Sequence, residues 1–363
     1  MLNKMAAMLV FLFLHCISSA HDELMCFRWD YETCVPGPAF SADNVHHTHN
    51  TVGIDGEGYL EASWHKTEPL LALISGRRAI PDYVDIWRLE YVNGYATFTG
   101  KKEPLRFNHT YTKLAVTSDK AVIGTTIGKL EFWDLEQDKF LLDLQISDDW
   151  VNGGWVTEVL LHPSHEWLLV VTDHRKLIRV DLESQTVAEI QLQANELQDF
   201  NALAFSSDGQ LLAAAGSGML GIWHTDTWEA WEPRPLSADS AQVLRFTDDD
   251  SHLLVISYAS VNRWSLVDKR LDFLRKLEPN AGRRYCFIND GDISPDGSLL
   301  MTTDDCGQIR AWDLAADAEI YIPQLDFTEP PVRGEIIRFN PDGRLLFTGG
   351  SFGWGLWIIH QPQ

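Results

Sequence analysis

A unit marked by tryptophan recurs about every 45 residues along most of this 363-residue chain. Its clearest copy runs from Ile293 through the turn Pro295-Asp296-Gly297 and an apolar segment to Trp312-Asp313. The spacing between successive markers varies only from 41 to 48 residues. Self-similarity of this kind predicts an array of similar supersecondary units rather than unrelated domains. The seven marker positions, one of them replaced by valine, are Trp87, Trp133, Val180, Trp223, Trp264, Trp312 and Trp357.

Each unit is built from short runs of Leu, Val, Ile, Phe and Trp, separated by turn sequences such as Asn93-Gly94. These turns join antiparallel strands, and no helical period lies between the runs. A single sheet of about four strands is only marginally stable alone, whereas sheets arranged radially bury both faces against their neighbours. The sequence therefore predicts an all-β fold, a seven-bladed β-propeller of four-stranded antiparallel blades.

The units resemble WD40 repeats over roughly residues 60–360. Trp133-Asp134 and Trp312-Asp313 keep the dipeptide that names the family, whereas Trp223, Trp264 and Trp357 keep only its tryptophan. The sequence has no Gly-His dipeptide. In that family a histidine, a turn aspartate, a serine or threonine and the tryptophan form a hydrogen-bonded network, so the resemblance implies that this network is mostly missing here.

The resemblance also implies a role for two cysteines. Counting six residues back from Trp312, the turn aspartate of the family falls on Cys306, and Cys286 lies in the connection that enters the same unit. A disulfide between them would replace the lost polar network. Closing this loop would stabilise the folded state by roughly 3 kcal/mol.

The last unit is one strand short, because only six residues follow Trp357. Closing the ring therefore requires an outer strand from upstream, and Thr48 to Asp55 is the segment we expect to supply it. The predicted organisation is a signal peptide at 1–20, an appendage at 21–47 that contains Cys26 and Cys34, and the propeller at 48–363.

The first twenty residues have the pattern of a secretory signal: Lys4, an apolar stretch from Met5 to Leu14, and small residues up to Ala20. An apolar helix of ten residues spans about 15 Å, half of a bilayer core, so a retained anchor is the alternative rather than the expectation. We expect an extracytoplasmic protein, in a bacterial periplasm or secreted, with no membrane span after cleavage.

Export to an oxidising compartment favours disulfides. The wide separation of the two cysteine clusters favours local pairing, Cys26 with Cys34 and Cys286 with Cys306, and free buried thiols are the alternative. Neither pair has the CxxC spacing of a redox or zinc site.

The chain carries 52 acidic against 29 basic residues, a formal net charge of −23. Such a charge repels a phosphate backbone, which argues against nucleic acid as a partner. It favours a protein partner with basic surface patches.

Three motifs suggest chemistry, and each has a simpler interpretation. Gly216–Gly221 matches GxGxxG but leads into a strand, which predicts a turn and not a dinucleotide site. The histidines 46, 47 and 49 lack an evident further ligand and fit a solvated strand end. The aspartates 290, 292 and 296 lack the EF-hand glycine and glutamate, and Asp296 belongs to a repeated turn. We therefore assign no catalytic, cofactor-binding or metal residue.

Aromatic and arginine side chains in the connections between units are the candidate interaction residues, because such side chains anchor protein interfaces. The alternative is that these rings pack under their own loops. The residues lie before the third and sixth units: Asp149, Trp150, Trp155, Arg283, Arg284 and Tyr285.

The sequence favours a non-catalytic scaffold for protein–protein interaction outside the cytoplasm, because propellers that resemble WD40 repeats mostly serve as interaction platforms. The alternatives are a propeller enzyme, similar to lactonases or quinone-dependent dehydrogenases with an axial site, and a glycan-binding propeller.

Overall fold

The fold was analysed in a computed structural model that describes residues 45–52, 57–77, 80–92, 95–104, 111–137, 139–146, 154–192, 200–216, 218–235, 241–247, 249–258, 260–276, 286–305, 308–314, 316, 318–320, 335–350 and 353–359. The described residues form 28 strands with turns and bends between them, and no helix. The strands assemble into seven antiparallel sheets of four strands each, as the sequence predicts.

The first three blades each consist of four strands that follow one another in the chain, ordered from the inner to the outer strand. The first blade consists of β2 Glu57–Trp64, β3 Leu70–Arg77, β4 Ile80–Val92 and β5 Tyr95–Pro104. The second consists of β6 Tyr111–Val116, β7 Lys120–Thr125, β8 Lys129–Asp134 and β9 Lys139–Gln145. The third consists of β10 Val156–Leu161, β11 Trp167–Thr172, β12 Leu177–Asp181 and β13 Val187–Ile190.

Blades four to six repeat this arrangement, and the seventh begins in the same way. The fourth blade consists of β14 Ala202–Phe205, β15 Leu211–Gly216, β16 Met219–His224 and β17 Ala230–Pro235, and the fifth of β18 Ala241–Phe246, β19 His252–Ser257, β20 Ser260–Ser265 and β21 Arg270–Lys276. The sixth consists of β22 Ile288–Ile293, β23 Leu299–Asp304, β24 Ile309–Asp313 and β25 Ala318–Ile320. The seventh begins with β26 Ile336–Phe339, β27 Leu345–Gly350 and β28 Gly353–Ile359.

An upstream strand, β1 (Val45–Val52), completes the seventh blade. It pairs antiparallel with β28, from Val45 opposite Ile359 to Val52 opposite Gly353. This confirms the predicted closure of the ring. The strand begins and ends three residues earlier than the expected segment 48–55, because its register follows the whole length of β28.

The marker residues all lie on third strands: β4, β8, β12, β16, β20, β24 and β28. The predicted division into seven units is therefore correct at every marker. Since both faces of each blade are covered, the second strands are buried along most of their length, and β11 and β27 are buried at all six positions.

The hydrophobic core lies between neighbouring blades. Where the ring closes, Leu71 and Leu73 of the first blade pack with Phe347 and Leu356 of the seventh, and all four side chains are fully buried. Burial of a large apolar side chain contributes about 1.5–3 kcal/mol, so this contact resists opening of the ring.

Two faces follow from the antiparallel order. The top face carries the connections from each outer strand to the next inner strand and the turns between second and third strands. The bottom face carries the turns between inner and second strands and those between third and outer strands. On the bottom face, Ser206, Thr247 and Ser294 each donate a hydroxyl hydrogen bond to the aspartate two residues later, at 2.6–2.7 Å.

Candidate functional site

The inner strands carry charged side chains into the axial channel. In five blades the inner strand has a β-bulge at the same place, immediately before the fourth residue from the end of the strand. A bulge re-aims the side chain that follows it. In the second and third blades the bulged residue is a threonine, Thr112 or Thr157, whose hydroxyl donates to a carbonyl of the second strand at 3.2 Å. The residues that follow the five bulges are Glu61, Lys113, Glu158, Val243 and Asp290.

Ion pairs join the channel residues of the first three blades. Lys113 Nζ lies 3.2 Å from Glu61 Oε2 and 3.3 Å from Glu158 Oε2. The ammonium group of the second blade is therefore shared by carboxylates of the first and third.

Arg338 extends this network across the point where the ring closes. Its Nη2 lies 3.1 Å from Glu61 Oε1 in the first blade, and its Nη1 forms an ion pair with Asp290 of the sixth. Two arms of the guanidinium thus bind carboxylates on opposite sides.

The sixth blade also binds the fifth. Arg245 Nε lies 2.8 Å from Asp292 Oδ1, and the other oxygen of Asp292 accepts the backbone N–H of Phe339 at 2.9 Å. Asp290 in the same way accepts the backbone N–H of Ile337 at 3.1 Å. The two aspartates therefore connect three successive blades.

The charges of this channel network stabilise one another. Burial alone raises the pKa of Glu61, but the positive charges of Lys113 and Arg338 outweigh it, so the pKa lies below its usual value. Glu158 and Glu61 raise the pKa of Lys113. For Arg338, burial lowers the pKa, but Asp290 and Glu61 raise it by more. Glu61, Lys113 and Arg338 are therefore charged at neutral pH.

A cavity of about 540 Å³ lies on the axis beside the network. Its lining includes the channel residues together with Lys66, Pro163, Pro295 and Pro341 of the bottom-face turns. The described acidic and basic groups of the channel bind each other, so the site is suited to binding and to holding the ring together. Among the described residues that line the cavity, no side-chain base is hydrogen-bonded to a serine, threonine or cysteine nucleophile, the arrangement that acyl transfer requires.

The top face presents exposed aromatic side chains. Trp155, Tyr258 and Phe287 expose 48%, 44% and 46% of their surface. The rings of Tyr258 and Phe287 pack edge to face with their centroids 5.8 Å apart. These exposed rings make the top face the candidate interaction surface.

Turn aspartates hold two of these aromatic residues in equivalent positions. The backbone N–H of Asp173 donates to Trp155 O at 2.9 Å, and that of Asp305 donates to Phe287 O at 3.0 Å. The Asp305 carboxylate also accepts the N–H of Phe287 at 2.8 Å, and the Asp173 carboxylate accepts that of Gly154. The turn aspartate of the sixth unit is thus Asp305, one residue before the position that the count from Trp312 predicts.

Of the predicted interaction residues, Trp155 is described and is exposed on the top face. The others, Asp149, Trp150, Arg283, Arg284 and Tyr285, lie outside the described residues, although Phe287 follows two residues after the last of them. The signal peptide and the appendage with Cys26 and Cys34 also lie outside, as does Cys306.

Cys286 is disulfide-bonded. Its partner lies outside the described residues, so the pairing with Cys306 stays a prediction. Cys286 also lies with Asp304 and Asp305 in a group whose ligand atoms are within 4.8 Å of one another. Because its sulfur is in a disulfide, no thiolate is free to bind a metal there.

Two of the three sequence motifs have structural roles in the described part of the chain. Gly216–Gly221 spans the turn between β15 and β16, as expected. Asp296 accepts hydrogen bonds from Ser294 and Ser298 in its turn, whereas Asp290 and Asp292 form ion pairs with Arg338 and Arg245. The histidines 46, 47 and 49 lie on β1, and their side chains are outside the description.

The channel network was not among the features predicted from the sequence. One signal for it was present: a charged residue lies three positions before the last residue of the inner strand in four of the seven units. No helix long and apolar enough to span a membrane occurs in the part of the chain that the structure describes.

Comparison with known proteins agrees with this architecture. The family model of the WD domain, G-beta repeat, matches residues 191–224, which contain the first three strands of the fourth blade. The target of rapamycin complex subunit wat1 of Schizosaccharomyces pombe is 25% identical over 199 residues. This match covers 53% of the chain and 58% of the relative. WD40 propellers typically bind other proteins. The two matches and the seven four-stranded blades together support a similarity of this chain to the WD40-repeat β-propeller family.

Proposed function

We propose that this chain is a non-catalytic scaffold of an extracytoplasmic compartment that binds another protein through its top face. The observation that carries the proposal is the exposure of Trp155, Tyr258 and Phe287 on that face. Aromatic side chains bury a large area at little cost in side-chain entropy, and they dominate the binding energy of many interfaces.

The backbone around these anchors is held in place, which favours binding. Hydrogen bonds to Asp173 and Asp305 fix the segments that carry Trp155 and Phe287, and Tyr258 O accepts the backbone N–H of Ile288 at 2.9 Å. A surface that is already ordered loses little conformational freedom on binding.

The matched relative supports the same role, since its name describes a subunit of a complex. An enzyme with an axial site is less favoured, because the described acidic and basic groups of the channel are engaged in ion pairs.

Two features support the extracytoplasmic location. One is the signal-like segment that ends at Ala20, and the other is the disulfide at Cys286, since disulfides persist mainly in oxidising compartments. The net charge of −23 favours a partner with basic patches, chiefly by raising the association rate.

Photo-crosslinking in the native compartment tests the proposal. A photoreactive residue is placed at position 287 on the top face or, as a control, at position 267, where Val267 exposes 79% of its surface in a bottom-face turn. We expect one recurrent protein linked to position 287 and not to position 267. Phe287→Ala should then reduce its capture at least tenfold, and the midpoint of thermal unfolding should stay within about 2 °C.

Equal crosslinking from both positions, or none, would contradict binding through the top face. Fractionation with an antibody to the chain tests the location, and recovery in the cytoplasm would contradict that part of the proposal.

A further inference from the structure

The channel network is an open chain of ion pairs that follows the blades around the axis. It begins at Arg245 in the fifth blade, which pairs with Asp292 of the sixth. Asp290 on the same strand pairs with Arg338, and the network continues through Glu61 and Lys113 to Glu158 in the third blade. The fourth blade is the single interruption among the seven described inner strands. On one side of the fourth blade the network ends at the carboxylate of Glu158, and on the other side it ends at the guanidinium of Arg245.

Small side chains explain the interruption. In six blades a charged residue occupies the fourth position from the end of the inner strand or the penultimate position, whereas the fourth blade has Ala202 and Ala204 at these places. Both alanines are 5% exposed and pack with Ala241 and Leu244 of the fifth blade. They contribute a short apolar wall to the cavity.

The two ends of the network remain accessible from the cavity. The side chains of Glu158 and Arg245 are 26% and 27% exposed, and both residues line the cavity. Each has one ion-pair partner among the described residues, together with a backbone contact. Glu158 Oε1 accepts the N–H of Val159 at 3.2 Å, and Arg245 Nη1 donates to Leu244 O at 2.8 Å.

We propose that this cavity binds a small zwitterion such as a free amino acid. Its cationic group would lie at Glu158, its anionic group at Arg245, and its apolar part against Ala202 and Ala204. A ligand with both charges completes the alternation of signs around the axis, and a neutral molecule or a single ion does not. Charge-assisted hydrogen bonds from Glu158 and Arg245 would select a zwitterion over a neutral or singly charged molecule.

This inference does not depend on the scaffold function, since it concerns the axis and the bottom-face turns rather than the top face. Loss of the protein partner would leave it intact.

Calorimetric titration of the purified chain with leucine, leucinamide and 4-methylpentanoate tests the proposal. Leucine carries both charges, leucinamide only the cation and 4-methylpentanoate only the anion. We expect saturable binding of leucine at one site, with each singly charged analogue at least about tenfold weaker, because each lacks one charged contact. Binding of leucinamide as tight as that of leucine, or no binding of leucine at 10 mM, would overturn the proposal.

Variants locate the site. Glu158→Gln and Arg245→Met should each weaken leucine binding about tenfold, and the matched control Glu189→Gln, which breaks the exposed pair with Lys176 on the outside of the third blade, should not. Ala202→Lys supplies the missing cation at the position equivalent to Lys113 and should abolish binding with the fold retained. Leucine affinity unchanged by Glu158→Gln, or by a folded Ala202→Lys protein, would contradict the assignment.

Discussion

Arg338 in the seventh blade and Glu61 in the first form an ion pair at 3.1 Å, although 277 positions separate them in the chain. The pair lies where the ring closes, beside the apolar contact between Leu71 and Phe347. The side chains expose 21% and 8% of their surface, so solvent screens the pair only in part. Ring closure in this propeller therefore rests on β1, on apolar packing and on a partly buried charge contact.

Removing Arg338 should destabilise the fold strongly. Arg338→Met leaves the Asp290 and Glu61 carboxylates in the channel without their shared cation, and loss of one partner of a buried pair costs about 3–5 kcal/mol. Lys129→Met, which breaks the more exposed pair with Asp143, should cost under about 1 kcal/mol. Urea denaturation measures both free energies of unfolding, and equal losses would show that the channel network contributes no more than a surface pair.

The fold was predictable because its signals are local and repeated. Turn sequences, apolar runs and the tryptophan on each third strand recur at a nearly constant spacing, so each marker supports the others. The short last unit predicted β1 by counting residues alone. Its bounds were off by three residues, because pairing with β28 sets them and not any feature of residues 45–55.

The channel network was not predictable for the opposite reason. Six of the seven inner strands contribute one or two charged residues to the network, such as Glu61 or Lys113, and the sign of the charge alternates between neighbouring blades rather than repeating. Their meeting depends on the bulges that turn them towards the axis and on contacts between different blades. No single unit contains that information.

Two marker tryptophans should differ in their response to phenylalanine. The indole N–H of Trp133 donates to Glu131 Oε2 at 3.3 Å, whereas that of Trp312 is buried with no hydrogen-bond partner within the described part of the chain. The hydroxyl of Thr303, on the neighbouring strand β23, is likewise buried with no hydrogen-bond partner among the described residues. These two buried groups without partners agree with the expectation from the sequence that most of the polar network of the repeat is missing.

Trp133→Phe should therefore cost about 1–2 kcal/mol more than Trp312→Phe, since it leaves the buried Glu131 short of a donor. Both rings are almost fully buried, so the loss of packing is similar in the two variants. Chemical denaturation of the two proteins measures the difference. A larger loss for Trp312→Phe would indicate that the buried Trp312 N–H has a partner such as an internal water.

His162 should make stability depend on pH. Its ring stacks on Trp167 at 4.3 Å and packs edge to face on Phe205, and its Nε2 lies 3.0 Å from Gly209 O in the next blade. Burial lowers the pKa of His162, and this exceeds the opposing effect of the bond to Gly209. The neutral form is thus favoured in the folded state.

The pKa of His162 is lower in the folded than in the unfolded chain. The contribution of His162 to stability is therefore fully present above its unfolded pKa of about 6.5, and it is lost as the pH falls through its folded pKa. His162→Phe keeps an aromatic ring and cannot titrate, so it should flatten the decline in unfolding free energy between pH 7 and 5. The exposed His174→Asn serves as the control. A decline equally steep in His162→Phe would assign the pH dependence to other groups.

Reduction of the disulfide at Cys286 should loosen the sixth blade next to the aromatic pair. The predicted partner is Cys306, and the backbone contacts between Phe287 and Asp305 bring the segments that carry the two cysteines together. Loss of a native disulfide costs roughly 2–4 kcal/mol. Cys286→Ser, Cys306→Ser and the double variant should lower the free energy of unfolding by the same amount, because each removes the same bond. Peptide mapping under non-reducing conditions identifies the partner directly, and a link from Cys286 to any other cysteine would refute the pairing.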